Sequence, residues 1–376
     1  MSKNHTIALS ANTCWYVYNF RKNTIISLLN NGYRVVVIAP EDEYTKKVRD
    51  LGCAFIHVKI DQGGSNPIKD LSTLYSFFSI FKNNRIDIIL NFTPKNNIYS
   101  TLAANFFGVK AINNIAGLGI LFINESWVSK IARFLYRLSQ SQAEFIFFQN
   151  EDDKTIFSLK KIALNTPKDR LPGSGVDLKR FKVIPAIDDG KVRFLLIARM
   201  LFDKGIGHYI GAARLLREKY GDKVEFRLLG FLDVSNPSSV SKVQMEAWVA
   251  EGIVEYLGVS DSVESEIAEV DCMVLPSFYR EGVPKSLLEA GAMGKPIVTT
   301  DNVGCRETVE HGVNGFLCDV RSTESLTKSL DKMIRLTHEE RLMMGQASRA
   351  KIEREFDEKI VLDKYLAVIK KILKEN

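Results

Sequence analysis

The chain has 376 residues, 45% hydrophobic and 26% charged, with a formal net charge of +6. That length and balance suit two ordinary globular domains and argue against a disordered or fibrous chain. Five scattered cysteines (Cys14, Cys53, Cys272, Cys305 and Cys318) without a C-x-x-C argue against a disulfide framework or zinc ribbon and predict reduced thiols.

The first strand-like run, Thr6–Ser10, comes with no signal-peptide core before it, and no apolar run is long enough to span a bilayer. A cytoplasmic location is expected. Further runs follow at Arg34–Ala39, Ala54–Ile60, Ile86–Asn91, Ala111–Ile115 and Phe145–Gln149, separated by amphipathic stretches such as Val17–Asn31, Pro67–Asn83 and Ile98–Phe107. This β-α-β rhythm predicts a parallel sheet covered on both faces. Within this half, Trp127–Gln140 interleaves Trp127, Ile131, Phe134, Leu135 and Leu138 with Lys130, Arg133 and Arg137. Such a helix can lie on an anionic membrane, although a core helix with a solvated basic edge has the same pattern. Phe77, Phe78 and Phe81, flanked by Lys82 and Arg85, form a second candidate of this kind. Residues 1–185 carry 24 Lys+Arg against 14 Asp+Glu, and residues 186–376 carry 27 against 31. The basic half suits an anionic partner, and no nucleic-acid motif accompanies it.

Leu171–Lys191 is rich in Gly, Pro and Asp and reads as a linker. The rhythm restarts with Arg193–Ala198, Glu225–Gly230, Cys272–Pro276, Pro296–Thr300 and Phe316–Cys318. Helical stretches Glu339–Phe356 and Lys359–Leu373 close the chain, and the gap at Phe356–Asp357 lets the last helix bend back onto the first domain. The expected fold is α/β, with two doubly wound domains: 1–180 joined by 357–376, and 186–356. Ligands of such sheets bind beyond the carboxyl ends of the strands, which makes the cleft between the domains the expected site.

Two stretches carry candidate chemistry. In Arg280–Val298, Glu281 and Glu289 stand around a helix start. Gly282 permits close backbone approach, and Pro284 suits a first helical turn. N–H groups of that turn, with a carboxylate on either side, suit a ligand with a diphosphate in the middle and hydroxyl-rich ends. A nucleotide sugar has that polarity. In Leu195–Leu216 a strand ends at Ala198 and is followed by Arg199, Lys204 and Gly205, then a helix. Two cations beside a helix N-terminus can neutralise a diphosphate, while a solvated turn would show the same spacing. Two glutamates could also serve a hydrolase, but one precedes the helix and one lies within it, so they should address different parts of a ligand. No D-x-D occurs and the five histidines are dispersed, so no metal is expected.

These residues resemble family 4 glycosyltransferases, retaining enzymes of the GT-B architecture. The resemblance rests on Glu281 with Glu289, on Arg199 with Lys204 and Gly205, and on GSGVDLKRF at Gly173–Phe181. Asn91–Tyr99, Ala116–Gly119, Asn236–Ser239 and the EGVPKSLLEA run further resemble the bacterial subgroup that extends lipid-linked oligosaccharides. The resemblance implies that Arg199 and Lys204 hold the donor diphosphate, Glu281 faces the donor sugar and Glu289 accepts from the ribose hydroxyls. Gly282, Val283, Pro284, Lys285, Ser286 and Leu287 would line the donor, with Gly230 and Asn12. Tyr18, Asn19, Arg21 and Lys95 would meet the acceptor, and by their amphipathic pattern Trp127, Lys130, Arg133, Phe134 and Arg137 would face the inner membrane surface. The implied donor is a UDP-sugar, most readily an N-acetylhexosamine. The implied acceptor is a polyprenyl-diphosphate-linked glycan of O-antigen, capsule or glycoprotein synthesis, with no cofactor, metal or nucleic acid. The alternatives are the same fold with a soluble or other lipid acceptor and another nucleotide-hexose, or a non-catalytic scaffold. Two departures affect the first domain: its first loop, Ser10–Arg21, lacks glycine, and Ala116 stands where many relatives have histidine.

Overall fold

The computed structural model describes residues 5–61, 66–118, 127–232 and 236–375, the side chains of 127–129 and 132 excepted. Gly119 and the Trp127 side chain therefore lie outside the described residues. The chain folds as two compact units, Met1–Ser174 with Lys359–Asn376, and Gly175–Glu358.

The first unit is built on seven parallel strands: β1 (Thr6–Ser10), β2 (Arg34–Ala39), β3 (Ala54–His57), β4 (Ile88–Asn91), β5 (Lys110–Ile115), β6 (Phe145–Phe148) and β7 (Lys168–Arg170). Their order is β3-β2-β1-β4-β5-β6-β7, so the order reverses between β1 and β4. Alternation along β1 sends Ile7 and Leu9 to one core and Ala8 to the other. The helices are α1 (Cys14–Asn30), α2 (Thr45–Arg49), α3 (Pro67–Asn83), α4 (Thr101–Phe106), α5 (Trp127–Gln140) and α6 (Glu151–Leu159). Their starts follow from sequence. The Thr13 hydroxyl accepts the Tyr16 N–H at 2.9 Å to cap α1. Asn66 caps α3, with Pro67 next, and Asn150 caps α6 ahead of three acidic residues.

Two details differ from the sequence reading. The stretch expected as one helix from Ile98 to Phe107 begins within a π-helical turn, Asn96–Ser100, and α4 itself starts only at Thr101. In α3, Phe77 and Phe81 are core residues and Phe78 packs on Phe106 and Phe107, with ring centres 5.3 and 5.6 Å apart. The exposed apolar face of α3 is instead Ile68, Leu71 and Tyr75. A helical stripe at Thr73, Phe77, Ile80 and Phe81 points inward, and aromatic size favours burial there.

The second unit repeats the plan with β8 (Val192–Ile197), β9 (Val224–Leu229), β10 (Glu255–Tyr256), β11 (Cys272–Leu275), β12 (Ile297–Thr300) and β13 (Gly315–Cys318), ordered β10-β9-β8-β11-β12-β13 and all parallel. Its helices are α7 (Ile206–Tyr220), α8 (Lys242–Ala250), α9 (Val263–Ala268), α10 (Lys285–Ala292), α11 (Thr323–Arg335) and α12 (His338–Glu355). Reciprocal capping boxes, Ser241 with Gln244 and Thr337 with Glu340, start α8 and α12. The last helix, α13 (Glu358–Leu373), belongs to the first unit: Val361, Tyr365 and Ile369 join the core made by Ile7, Leu9, Val35 and Val37. Among the described residues no helix is long and apolar enough to cross a membrane.

Candidate functional site

The order of the second sheet reverses between β8 and β11, and the chain leaving each strand carries the candidate residues. After β8 come Arg199, a single helical turn at Phe202–Lys204, then Gly205 and α7. After β11 come Pro276 and Ser277, then the loop to α10. Gly205 has φ +81°, and a Cβ there would lie 2.1 Å from the Pro276 carbonyl oxygen, so only glycine lets the two ends close up. Gly304, φ +79°, does the same beside β12, where a Cβ would meet the Gly282 oxygen at 1.7 Å. The Asn302 amide ties that loop down by donating to the Ser277 and Tyr279 carbonyls at 3.3 and 2.9 Å. The Asn236–Ser239 run buttresses the Lys204 turn, as Ser238 accepts the Phe202 N–H on its carbonyl and the Asp203 N–H on its hydroxyl.

This geometry brings Lys204 and Glu281 into a direct ion pair. The same carboxylate oxygen accepts from the Ser277 hydroxyl at 3.0 Å, and the Lys204 ammonium lies 5.3 Å from the centre of the Tyr279 ring. Each partner's side chain is only 13% exposed, so the attraction acts in a low-dielectric setting. Arg199 is exposed and makes no ion pair among the described residues, which leaves its charge available to an anion. Burial, reinforced by Glu281, pushes the Tyr279 phenol up, with Arg199 opposing. Burial also pushes the neighbouring Cys305 thiol up to about 12 and keeps it protonated.

Helix α10 begins after Pro284, which offers its first turn no side-chain acceptor. Gly282, Val283 and Pro284 are buried, and Lys285 and Ser286 are half-buried. The Leu287 side chain lies wholly in the core, and its N–H donates to the Pro284 carbonyl at 3.2 Å. Burial pushes the Glu289 carboxyl up, opposed by Lys285 at 3.7 Å and by Arg180. Gly230 directly follows β9, and its carbonyl accepts from the Tyr256 hydroxyl at 2.8 Å. Cations thus meet a carboxylate at the sheet edge, and a second, half-buried carboxylate lies along α10. That combination can hold an anion and hydrogen-bond hydroxyl groups beside it.

The edge of the first unit is chemically different. Where β1 and β4 end, the Ser10 hydroxyl donates to Asn91 Oδ1 at 2.6 Å, and Asn91 Nδ2 donates to Asn113 Oδ1 at 2.9 Å. Asn113 donates on to Gln140 Oε1 at 2.9 Å, Asn114 donates to the Asn91 carbonyl at 3.0 Å, and the Tyr365 hydroxyl donates to Asn114 Oδ1. All are buried. Asn12 and Tyr18 are half-buried, with Tyr18 against Tyr44 at 5.9 Å between ring centres. The Asn19 amide donates to the Trp15 carbonyl, and Arg21 is buried over Phe92. Lys95 is paired with Asp70 of α3 at 2.6 Å. On α5, Lys130, Phe134 and Arg137 are exposed and Arg133 is half-buried.

Ser277, Tyr279 and Asn302 had no place in the sequence reading. Ser277 directly after an apolar strand run and four residues before Glu281 was the available sign. Among the described residues, no three His, Cys, Asp or Glu side chains stand together as a metal-ligand set.

Two doubly wound units, the second with paired charges at its switch in strand order, have the layout of the GT-B class. The family described as "Glycosyl transferases group 1" matches residues 178–351, and "Glycosyl transferase 4-like" matches residues 6–150. The chain belongs to this glycosyltransferase family. It is 30% identical over 377 residues to the N,N'-diacetylbacillosaminyl-diphospho-undecaprenol alpha-1,3-N-acetylgalactosaminyltransferase of Campylobacter jejuni, covering 95% of this chain and 96% of that one. It is 25% identical to the UDP-Gal:alpha-D-GlcNAc-diphosphoundecaprenol alpha-1,3-galactosyltransferase of Escherichia coli, over 77% of this chain and 76% of the other. Solved structures of the same fold include sucrose-phosphate synthase from Thermosynechococcus elongatus (TM-score 0.80, 14% identity, 99% and 100% coverage). Anabaena HepE in complex with UDP-glucose is another (TM-score 0.74, 16% identity, 96% and 98% coverage).

Proposed function

We propose that this protein moves a sugar, an N-acetylhexosamine first of all, from a UDP donor to a polyprenyl-diphosphate-linked glycan, with retention of configuration and without a metal ion. The observation that carries the reading is the Lys204–Glu281 pair at the second unit's switch point, beside Arg199, which has no ion pair among the described residues. The full-length likeness to a transferase whose name specifies a diphospho-undecaprenol acceptor supports the choice of acceptor.

In this reading Arg199 and Lys204 take the donor diphosphate, and Glu289 takes the ribose. The bond from the sugar's anomeric carbon to the diphosphate oxygen breaks, and negative charge grows on the departing UDP. Fixed cations in a partly dry site stabilise that charge more than they stabilise the bound donor. The acceptor hydroxyl attacks from the side the UDP leaves, and a diphosphate oxygen takes its proton. Glu281 keeps Lys204 aimed and meets the sugar hydroxyls.

The acceptor lipid would bring the enzyme to the inner face of the membrane. Three neighbouring helices of the first unit support that: α3 exposes Ile68, Leu71 and Tyr75, α4 exposes Phe106, and α5 exposes Ile131, Phe134 and Leu138. Arg133 and Arg137 accompany the α5 face. Apolar anchors with flanking cations suit an anionic bilayer.

A thermal-shift screen against nucleotides and nucleotide sugars with EDTA present is the first test, because a ligand that binds the native state raises its melting temperature. A shift with UDP and a UDP-N-acetylhexosamine, followed by mass-spectrometric transfer to a lipid-linked acceptor, is the expected result. Transfer only to soluble acceptors, or only from another nucleotide-hexose, would replace the substrate assignment. The absence of any nucleotide response would favour a scaffold.

A further inference from the structure

The first unit contains a buried cation that no carboxylate among the described residues accompanies. Arg21, midway along α1, is 1% exposed. Its guanidinium lies 4.2 Å from the centre of the Phe92 ring and 5.8 Å from that of Tyr16. Nη2 donates to the Tyr16 hydroxyl at 3.2 Å, whereas Nε and Nη1 are buried with no hydrogen-bond partner. Among the described residues no Asp or Glu comes within ion-pair distance of it. Buried charges in folded proteins are ordinarily paired and hydrogen-bonded, and apolar side chains of similar volume replace them without loss of stability when packing is their only duty. Contacts with aromatic faces compensate only in part.

The position of this cation points to a ligand. Tyr16 is carried on the first turn after β1, and Phe92 directly follows β4. Those strands flank the switch in the first sheet, the edge where open α/β sheets bind their ligands. A guanidinium grips an oxyanion with one of two forks, Nη2 with Nε or Nη2 with Nη1. Nη2 carries one N–H toward each fork, so the Tyr16 hydroxyl, which accepts one of them, occupies one fork. Tyr16 is only half-buried and stacks on Phe20 with ring centres 4.9 Å apart, and its displacement frees the fork it occupies.

We propose that Arg21 is the anchor for a phosphate oxygen of the acceptor's diphosphate, with the Tyr16 hydroxyl holding its place until the acceptor enters. The assignment rests on the diphosphate-linked acceptor proposed above. It separates the two phosphate-bearing substrates: the donor diphosphate answers to Arg199 and Lys204, the acceptor diphosphate to Arg21.

The test uses the full chain and one glycan presented on two carriers, a polyprenyl diphosphate and a neutral alkyl group. Arg21→Met should raise KM for the diphosphate acceptor about 10- to 100-fold, the loss typical of a charged hydrogen bond. KM for the UDP-sugar and for the neutral acceptor should stay put. Arg21→Lys should recover some of the loss, and Tyr16→Phe should lower KM for the diphosphate acceptor. Equal losses on both carriers would make Arg21 a packing residue and overturn the proposal. If Arg21→Met does not fold, Arg21→Lys is titrated with inorganic pyrophosphate and with geranyl diphosphate in saturating UDP. At least tenfold weaker binding of both relative to the unaltered chain supports the site, weakening of pyrophosphate alone assigns it to free diphosphate, and unchanged binding refutes it. Failure of the unaltered protein to use any diphosphate-linked acceptor would count against the proposed substrate, and the pyrophosphate titration would then decide on Arg21 by itself.

Discussion

The two units share a strand order and differ in what they build at the place where it reverses. The second sets opposite charges against each other, Lys204 with Glu281, and leaves Arg199 open. The first builds a neutral floor of amides and hydroxyls from Ser10, Asn91, Asn113, Asn114 and Gln140, and holds Arg21 against Phe92 and Tyr16. A paired cation and carboxylate can re-partner with a charged, polyhydroxyl ligand as it arrives. A closed amide network has few partners to exchange and instead fixes the loops around it. One fold thus provides a responsive edge and a rigid edge, through the side chains just past the strands.

The largest expected effect comes from breaking the responsive edge. Glu281→Ala should reduce turnover by roughly 10³-fold while UDP still binds, since its loss removes both the sugar contact and the aim of Lys204. It should also lower the melting temperature, because Lys204 loses its carboxylate in a mostly buried position. Single-turnover kinetics beside a UDP titration read both effects, and full activity would refute the assigned role. Lys204→Ala should weaken UDP binding and turnover together, by about 10²-fold in turnover. If only one of the two falls, donor binding and leaving-group stabilisation belong to different residues.

Breaking the rigid edge should look different. Asn113→Leu orphans the groups that Asn91, Thr101 and Gln140 present to it, at about 1–3 kcal/mol for each group left unsatisfied. Denaturant unfolding should show that loss, and UDP affinity in the surviving folded fraction should be unchanged. A drop in UDP affinity would show that the two edges do not act separately.

The smallest effect sharpens the view of Lys204 by comparison with a buried lysine remote from it. Lys295 precedes β12, at the opposite end of the second sheet, and donates to the Ala268 carbonyl at 3.0 Å. Burial lowers its pKa to about 8, from 10.5. A depressed folded-state pKa makes the native protein gain stability as pH rises from about 8 to 10.5 and lose it on the way back down. Lys295→Met should therefore be the more stable protein below pH 8, by on the order of 1–3 kcal/mol, with the advantage fading toward pH 10.5. Unfolding curves at pH 7 and pH 10 provide the check, and an advantage that grows with pH would contradict the sign.

Central strands were legible because strands buried on both faces read as continuous apolar runs: Thr6–Ser10 and Arg34–Ala39 are strands over just those residues. The edge strands β7, Lys-Asp-Arg, and β10, Glu-Tyr, escaped notice because an edge need not be apolar. The π-helical turn at Asn96–Ser100 was hidden because its residues are polar and fit no apolar period. Glu281 and Lys204 were each marked by their local setting, but their pairing was not, since it needs β8 beside β11 and two glycines that close the loops. Arg21 gave no sign of burial, because a basic residue on a helix is ordinarily solvated and its neighbours here include Phe92, just after β4, and Tyr365 of α13.

The return of α13 to the first unit has a consequence for biosynthesis. A ribosome delivers β1 through β7 long before it delivers Val361, Tyr365 and Ile369, which complete the core around Ile7 and Leu9. The nascent first unit must wait, one apolar face uncovered, while the whole second unit is translated and can fold on its own contacts. A helix made after the second unit is therefore the seal on the first, and a frameshift near residue 356 would spare the second core while leaving the first unfinished.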